Sequence, residues 1–282
     1  MKKKIIFIIF LVILIVVLFL IPKETYRKIF GKNDEIPSNN ELYEEKILVY
    51  MCDESDNLIG TYAYVSSIEE DVISQKFDIL TKKTGAFKEN YDTAVNTMAS
   101  LISYECNEDV LTLNVSNEFL ESEGRKTLEQ MVWTFCDDNI NEIELLVDGE
   151  EINSLNGFYF DKLTLNMGIN LTCETNFMFE ANTTTVIEYV GEVIKPVTYV
   201  YKDIDECDFI VSKLFSDIYN NKEYDYVLSS DSIIIDLAVD DALTENMKKS
   251  IVETIQYNMN INNIQVQGLN QVLLEIKDET GL

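Results

Sequence analysis

The sequence predicts an α+β protein: two similar small domains behind an N-terminal transmembrane helix. Three observations predict this. Residues 5–21 form an uncharged apolar run that ends at Pro22. The element order β-β-α-β-β-α-β can be read twice in the rest of the chain. An offset of 122 residues lays Asn114 on Asp236 and VLTLNVS on SIIIDLA, with EQMVWTF near VETIQYN. Units this long are globular domains and not solenoid repeats. In each, two helices are expected to pack on one face of a sheet.

The apolar run would make about 26 Å of helix, close to the thickness of a bilayer core. A cleavable signal peptide has a shorter apolar core and a small-residue cleavage site. The following IPKETYRKIF offers no such site, and Cys52 is too far on to accept a lipid. Residues 1–22 are therefore expected to be an uncleaved signal anchor. Lys2, Lys3 and Lys4 favour an inside N-terminus, although Lys23, Arg27, Lys28 and Lys32 follow the run. The expected location is the cell membrane, single-pass, with the C-terminal domains outside the cytoplasm. Residues 23–43 are polar, carry Gly31 and Pro37, and read as a tether.

The 282 residues are 46% hydrophobic and 11% aromatic, enough to build cores. Net charge is −28, but seven of the 22 basic residues lie in the first 32 positions beside one acid. The remainder holds 15 basic and 49 acidic residues, a net charge of −34. That excludes non-specific nucleic-acid binding, which needs a basic face. It also opposes adsorption to anionic polymers unless divalent cations intervene. The five cysteines, at 52, 106, 136, 173 and 207, show no C-x-x-C spacing, and the chain has no histidine. They are expected to be mostly small buried apolar residues, with room for one disulfide in an oxidising space.

A first domain is expected over residues 44–155. KILVYM and LIGTYAYV form a hairpin around the turn DESDN, which lacks the glycine and terminal glutamate of a calcium loop. Ser67 and Glu70 have capping-box spacing for a helix running to Thr84, before Gly85. Residues 91–100 have partly helical spacing but are read as a loop before the hairpin LISYEC/VLTLNV. Ser122 is expected to cap a helix burying Leu128, Met131, Val132 and Phe135. Ile143, Leu145 and Val147 alternate with polar positions in a strand that ends at Asp148-Gly149.

After a link over residues 156–183, a second domain is expected over 184–278. TVIEYV and PVTYVY repeat the first hairpin. Asp203 and Glu206 have capping-box spacing, and Thr244 is expected to cap the last helix. The hairpin Tyr224-to-Leu228 and SIIIDL lies between those helices. Ile264 and Val266 begin the closing strand, which VLLEI extends.

LTLNVSNEF and LEQMVWTFCDDNINEIELLVDGE resemble the sporulation and spore-germination (GerMN) domain family. Val132, Thr134 and Phe135 occupy its helix motif, and Asp148-Gly149 its terminal turn. FDKLTLNMGIN, residues 160–170, resembles the link of tandem members. The second copy keeps Val252, Thr254 and Ile255 but has Gln267-Gly268 in place of Asp-Gly. The resemblance spans roughly residues 44–276. It implies a non-catalytic extracytoplasmic domain, similar to ring-building motifs of envelope complexes, whose partners are envelope proteins or further copies of itself.

No catalytic, cofactor-binding or metal-ligating residues stand out, and no cofactor is expected. No nucleotide- or phosphate-binding glycine motif and no G-x-S-x-G appears. Two rival readings rest on particular residues. Carboxylate pairs such as Glu69/Glu70, Asp137/Asp138, Glu150/Glu151 and Asp240/Asp241 would suit a hydrolase only if they faced each other across a cleft. Trp133 with Tyr62, Tyr64, Tyr199 and Tyr201 would suit a peptidoglycan- or glycan-binding module if they shared one exposed face. Asn114, Asn170 and Asn182 match the glycosylation pattern.

Overall fold

The computed structural model of the chain describes residues 44–66, 71–82, 91–176, 180–218, 223–238 and 242–277. The expected anchor and tether lie outside them, as do Glu69/Glu70 and Asp240/Asp241. Among the described residues, no helix is long and apolar enough to cross a membrane.

The first copy opens with β1 (Glu44–Cys52) and β2 (Leu58–Ser66), an antiparallel hairpin. Its turn closes because the Asp53 carboxylate accepts the N–H groups of Ser55 and Asn57. Helix α1 spans Val72–Leu80. Its cap is Asp71, which accepts from the Ser74 N–H, so the capping box at Ser67 does not start it. It also stops short of Thr84, because Lys82 turns left-handed at φ 55° and the Thr81 hydroxyl returns to the Phe77 carbonyl. Residues 91–100 form no helix, as expected. Asp92 pairs with Cys52, and Gln130 and Thr127 bond the Ala94 backbone.

Strands β3 (Leu101–Asn107) and β4 (Val110–Val115) form the second hairpin. Helix α2 spans Arg125–Phe135 and is preceded by Gly124 at φ 53°. Ser122 is therefore not its cap; the Ser122 hydroxyl instead accepts from the Asn96 N–H. Strand β5 (Glu142–Val147) lies parallel to β4, and β6 (Glu150–Glu151) returns beside it. Asp148 and Gly149, at φ 49° and 88°, make the tight turn between them. Leu111, Leu113, Val115, Ile143, Leu145 and Val147 are all buried on one face of this sheet.

Short strand β7 (Ser154–Leu155) ends the expected first domain, and β8 (Phe158–Tyr159) and β9 (Thr172–Cys173) lie in the expected link. The second copy then repeats the first. Strands β10 (Asn182–Val190) and β11 (Val193–Tyr201) form its hairpin. Helix α3 (Glu206–Ser212) runs into a π-helical segment, Lys213–Ile218. Its cap is Asp205, not Asp203, which sits at φ 65°. Strands β12 (Tyr224–Leu228) and β13 (Ser232–Leu237) precede α4 (Glu245–Met259), capped by Thr244 as expected. Strand β14 (Asn263–Gln267) is parallel to β13. VLLEI does not extend it: the Gly268 N–H bonds the Gln271 carbonyl, and β15 (Val272–Ile276) folds back antiparallel.

The architecture is mixed α+β, but each copy has two sheets, not the expected one. The β3-β4-β5-β6 and β12-β13-β14-β15 sheets belong to one copy each, while the hairpins join in a sheet of order β1-β2-β11-β10. The outer strands of that shared sheet, β1 and β10, are gripped by helix side chains. In the first copy the Thr134 hydroxyl accepts from the Tyr50 N–H at 3.0 Å, and Gln130 Nε2 donates to the Tyr50 carbonyl at 2.8 Å. In the second, Thr254 accepts from Ile187 N–H, Ser250 from Tyr189 N–H, and Asn258 bonds both backbone groups of Thr185. Strand edges that would otherwise stay unpaired are thus satisfied inside the fold. Thr254→Val keeps the shape but leaves the Ile187 N–H buried without its partner. It should destabilise the protein by about 1–3 kcal/mol, read as a lower urea midpoint, with Thr254→Ser recovering most of the loss.

Candidate functional site at the seam between the copies

The two hairpins meet around an approximate two-fold. Tyr50 and Ile187, each gripped by a helix threonine, pair with Gly60 and Pro196. By the same registers Leu58 corresponds to Ile194. Strands β2 and β11 run antiparallel with Gly60 opposite Ile194, so the two-fold mate of that contact sets Leu58 beside Pro196. Gly60 is needed there, since a Cβ would stand 3.1 Å from Ile194 Cβ and from the Tyr50 ring. Pro196 has no N–H to give. The Asn170 side chain fills the gap. Its Nδ2 donates to the carbonyls of Leu58 at 2.7 Å and Pro196 at 2.8 Å, and its Oδ1 accepts from the Leu58 N–H at 2.8 Å.

Helix α2 supplies the rest of the seam. Helical spacing turns Val132 and Phe135 into the first core and Thr134 toward β1, which leaves Trp133 for the neighbouring copy. Its ring stacks on Tyr257 of α4, with centroids 5.7 Å apart, and meets Tyr50 edge-on at 5.4 Å. Trp133 Nε1 donates to the Gly168 carbonyl at 3.2 Å, and the Tyr257 hydroxyl to the Leu165 carbonyl at 3.0 Å. Gly168 lies at φ 75°, where a Cβ would meet Thr198 Oγ1 at 2.7 Å. Thr198 in turn bonds both backbone groups of Ile169.

One buried charge is held in this network. Glu129, 5% exposed, pairs with Arg125 at 2.6 Å and accepts from the Asn170 N–H at 3.1 Å. Arg125 also donates to the Met167 carbonyl at 2.7 Å. Burial pushes the Tyr257 hydroxyl up to about 12. Burial, with the Glu253 carboxylate adding to it, raises Tyr50 further. These groups stay neutral and act as packing and hydrogen-bond partners. Beside the seam a cleft of about 620 Å³ opens between the β1–β2 turn and β11, lined in part by Asp53, Glu54, Ile59, Val190 and Lys195.

The aromatic surface considered from the sequence is not assembled. Trp133 is buried in the seam. Tyr201 is buried and stacks on Phe209 with centroids 4.0 Å apart; Tyr199 meets the same ring edge-on. Tyr62 lies beneath Lys46 Nζ, and only Tyr64 is exposed, at 46%. Asp137 accepts from the N–H groups of Asn139 and Ile140, and Glu150 and Glu151 are exposed on β6. No group of acids and cysteines among the described residues could hold a metal ion. Cys52, Cys136 and Cys207 are buried as expected, and burial raises each thiol to about 11. Cys106 and Cys173 are exposed, the two exceptions to a mostly buried set. Asn170 matches the glycosylation pattern, yet its amide is engaged in three hydrogen bonds and is no acceptor. Nothing else in the sequence marks Asn170, Glu129 or Tyr257 as seam residues.

Residues 48–153 match the Germane family, described as sporulation and spore germination. No curated protein matches the sequence significantly. The chain is similar in structure to the tandem GerMN domains of the sporulation protein GerM from Bacillus subtilis. The TM-score is 0.68 at 14% identity, covering 81% of this chain and 92% of that one. The first GerMN domain of the same protein, solved alone, matches with TM-score 0.39 and 14% identity over 43% of this chain and 98% of its own. Residues 48–153 thus match this family, and the fold of the chain is similar to that of tandem GerMN domains, with the helix motif on α2 and its counterpart on α4 each gripping a hairpin edge.

Proposed function

We propose that this protein is a non-catalytic scaffold, anchored in the membrane by residues 5–21, whose two GerMN domains act outside the cytoplasm in protein–protein assembly during sporulation or germination. One observation carries the reading. The residues that mark the family, Thr134 and its neighbour Trp133, are engaged in holding strands and the seam, and they line no reaction cleft. The result is a stiff body made of two copies, suited to presenting surfaces at fixed spacing. The apolar run at the N-terminus supports the anchor, and the Germane match supports the process.

Cys106 provides the test of location, because it is exposed. In intact sporulating cells carrying the full chain, a membrane-impermeant maleimide should label the wild type and give a weaker signal in Cys106→Ser. Labelling that appears only after lysis would overturn the extracytoplasmic assignment. A deletion strain with normal counts of heat-resistant, germinating spores would overturn the process.

A further inference from the structure

The contact between the two copies is closed: equivalent strands β2 and β11 face each other around the two-fold, so each copy has already used this patch on the other. Assembly must therefore use another surface. We propose that the free edge of β3 receives an extended segment of a partner protein, added as a further strand and alternating apolar with Lys or Arg side chains. The proposal rests on the assembly reading above and names the surface and the chemistry of its partner.

Three observations support it. Among the described residues β3 ends its sheet, and each of its residues after Leu101 is exposed. Its core-facing row is only partly covered: the Tyr104 hydroxyl donates to the Asp71 carboxylate at the start of α1. Tyr104 and Cys106 stand opposite the buried Leu113 and Leu111, yet Tyr104 is 40% exposed, and neighbouring Ile102 is 52% exposed. An added strand would extend that row and cover these side chains, as in other strand-addition complexes. The hairpin itself is acidic. Residues 101–115, which make β3, its turn and β4, contain Glu105, Glu108 and Asp109 and no Lys or Arg. A second copy of this chain is a poor occupant, because β3 and its counterpart β12 carry Glu105 and Asp225, and like charges on paired strands repel.

The test uses the full chain in detergent micelles and a capped, fluorescent peptide alternating Lys and Val. Controls are a peptide of the same composition with its lysines and valines in separate blocks, and one alternating Glu and Val. The alternating basic peptide should bind and slow alkylation of Cys106, with the block peptide weaker and the acidic one inert. Glu105→Lys with Glu108→Lys should weaken binding about tenfold at low salt, while circular dichroism stays unchanged. Three results would each overturn the proposal: block and alternating peptides binding equally; Cys106 alkylation unaffected by bound peptide; or a dimer of the chain that Glu105→Lys dissolves. Cytoplasmic location in the maleimide experiment would defeat the proposed function and leave this binding result standing.

Discussion

Trp133→Ala should lower stability by about 3–5 kcal/mol, the range for truncating a large buried aromatic. Three contacts go at once: the stack on Tyr257, the edge contact with Tyr50 and the Nε1 bond to the Gly168 carbonyl. For a chain of this size the melting temperature should fall by about 6–20 °C. Trp133→Phe separates the parts. It keeps a ring in the stack and removes the hydrogen bond, so it should cost about 1 kcal/mol from the bond and a further amount from the smaller ring. Scanning calorimetry of the two variants beside the wild type checks both values. A loss under about 1 kcal/mol for Trp133→Ala would mean that the side chain is not packed as described.

Asn170→Ala should cost about 2–4 kcal/mol, since the Leu58 N–H and the carbonyls of Leu58 and Pro196 all lose their side-chain partner. Part of that cost is backbone strain, because Asn170 sits at φ 48°. Asn170→Gly removes the strain and not the lost bonds. It should be less destabilised than the alanine variant while remaining well below the wild type. Because the chain has a single tryptophan, its fluorescence reports the seam directly. In Asn170→Ala the emission of Trp133 should shift to the red as water reaches the ring, and protease cleavage between residues 156 and 176 should speed up. Urea unfolding followed at this signal measures both effects together.

Much of the fold was legible in the sequence because alternation is a strong signal where one sheet face is buried. VLTLNV and SIIIDL read correctly for that reason, and so did the offset that relates them. Thr244 was found because its side chain does cap α4. The caps of α1, α2 and α3 were misplaced because several polar residues compete at each helix start. Spacing cannot tell which of Ser67 and Asp71, or of Asp203 and Asp205, points at the free N–H groups. The separate hairpin sheet was missed because joining β2 to β11 depends on contacts between residues more than 130 positions apart. The seam was almost invisible. Trp133 stood out as an aromatic, but its place on the helix face turned toward the other copy could be known only once that copy was in position. Asn170 looked like one more polar residue in a link.

The antiparallel meeting of β2 with β11 has a consequence for any protein that carries one such domain. A patch that satisfies its near-copy within one polypeptide is nearly self-complementary, and two separate molecules bearing it would pair at high enough concentration. Covalent fusion raises the effective concentration of each patch for the other to about the millimolar range, whatever the abundance of the protein. A lone domain with this face would be monomeric or paired according to how much of it the cell makes; the fused form has lost that dependence.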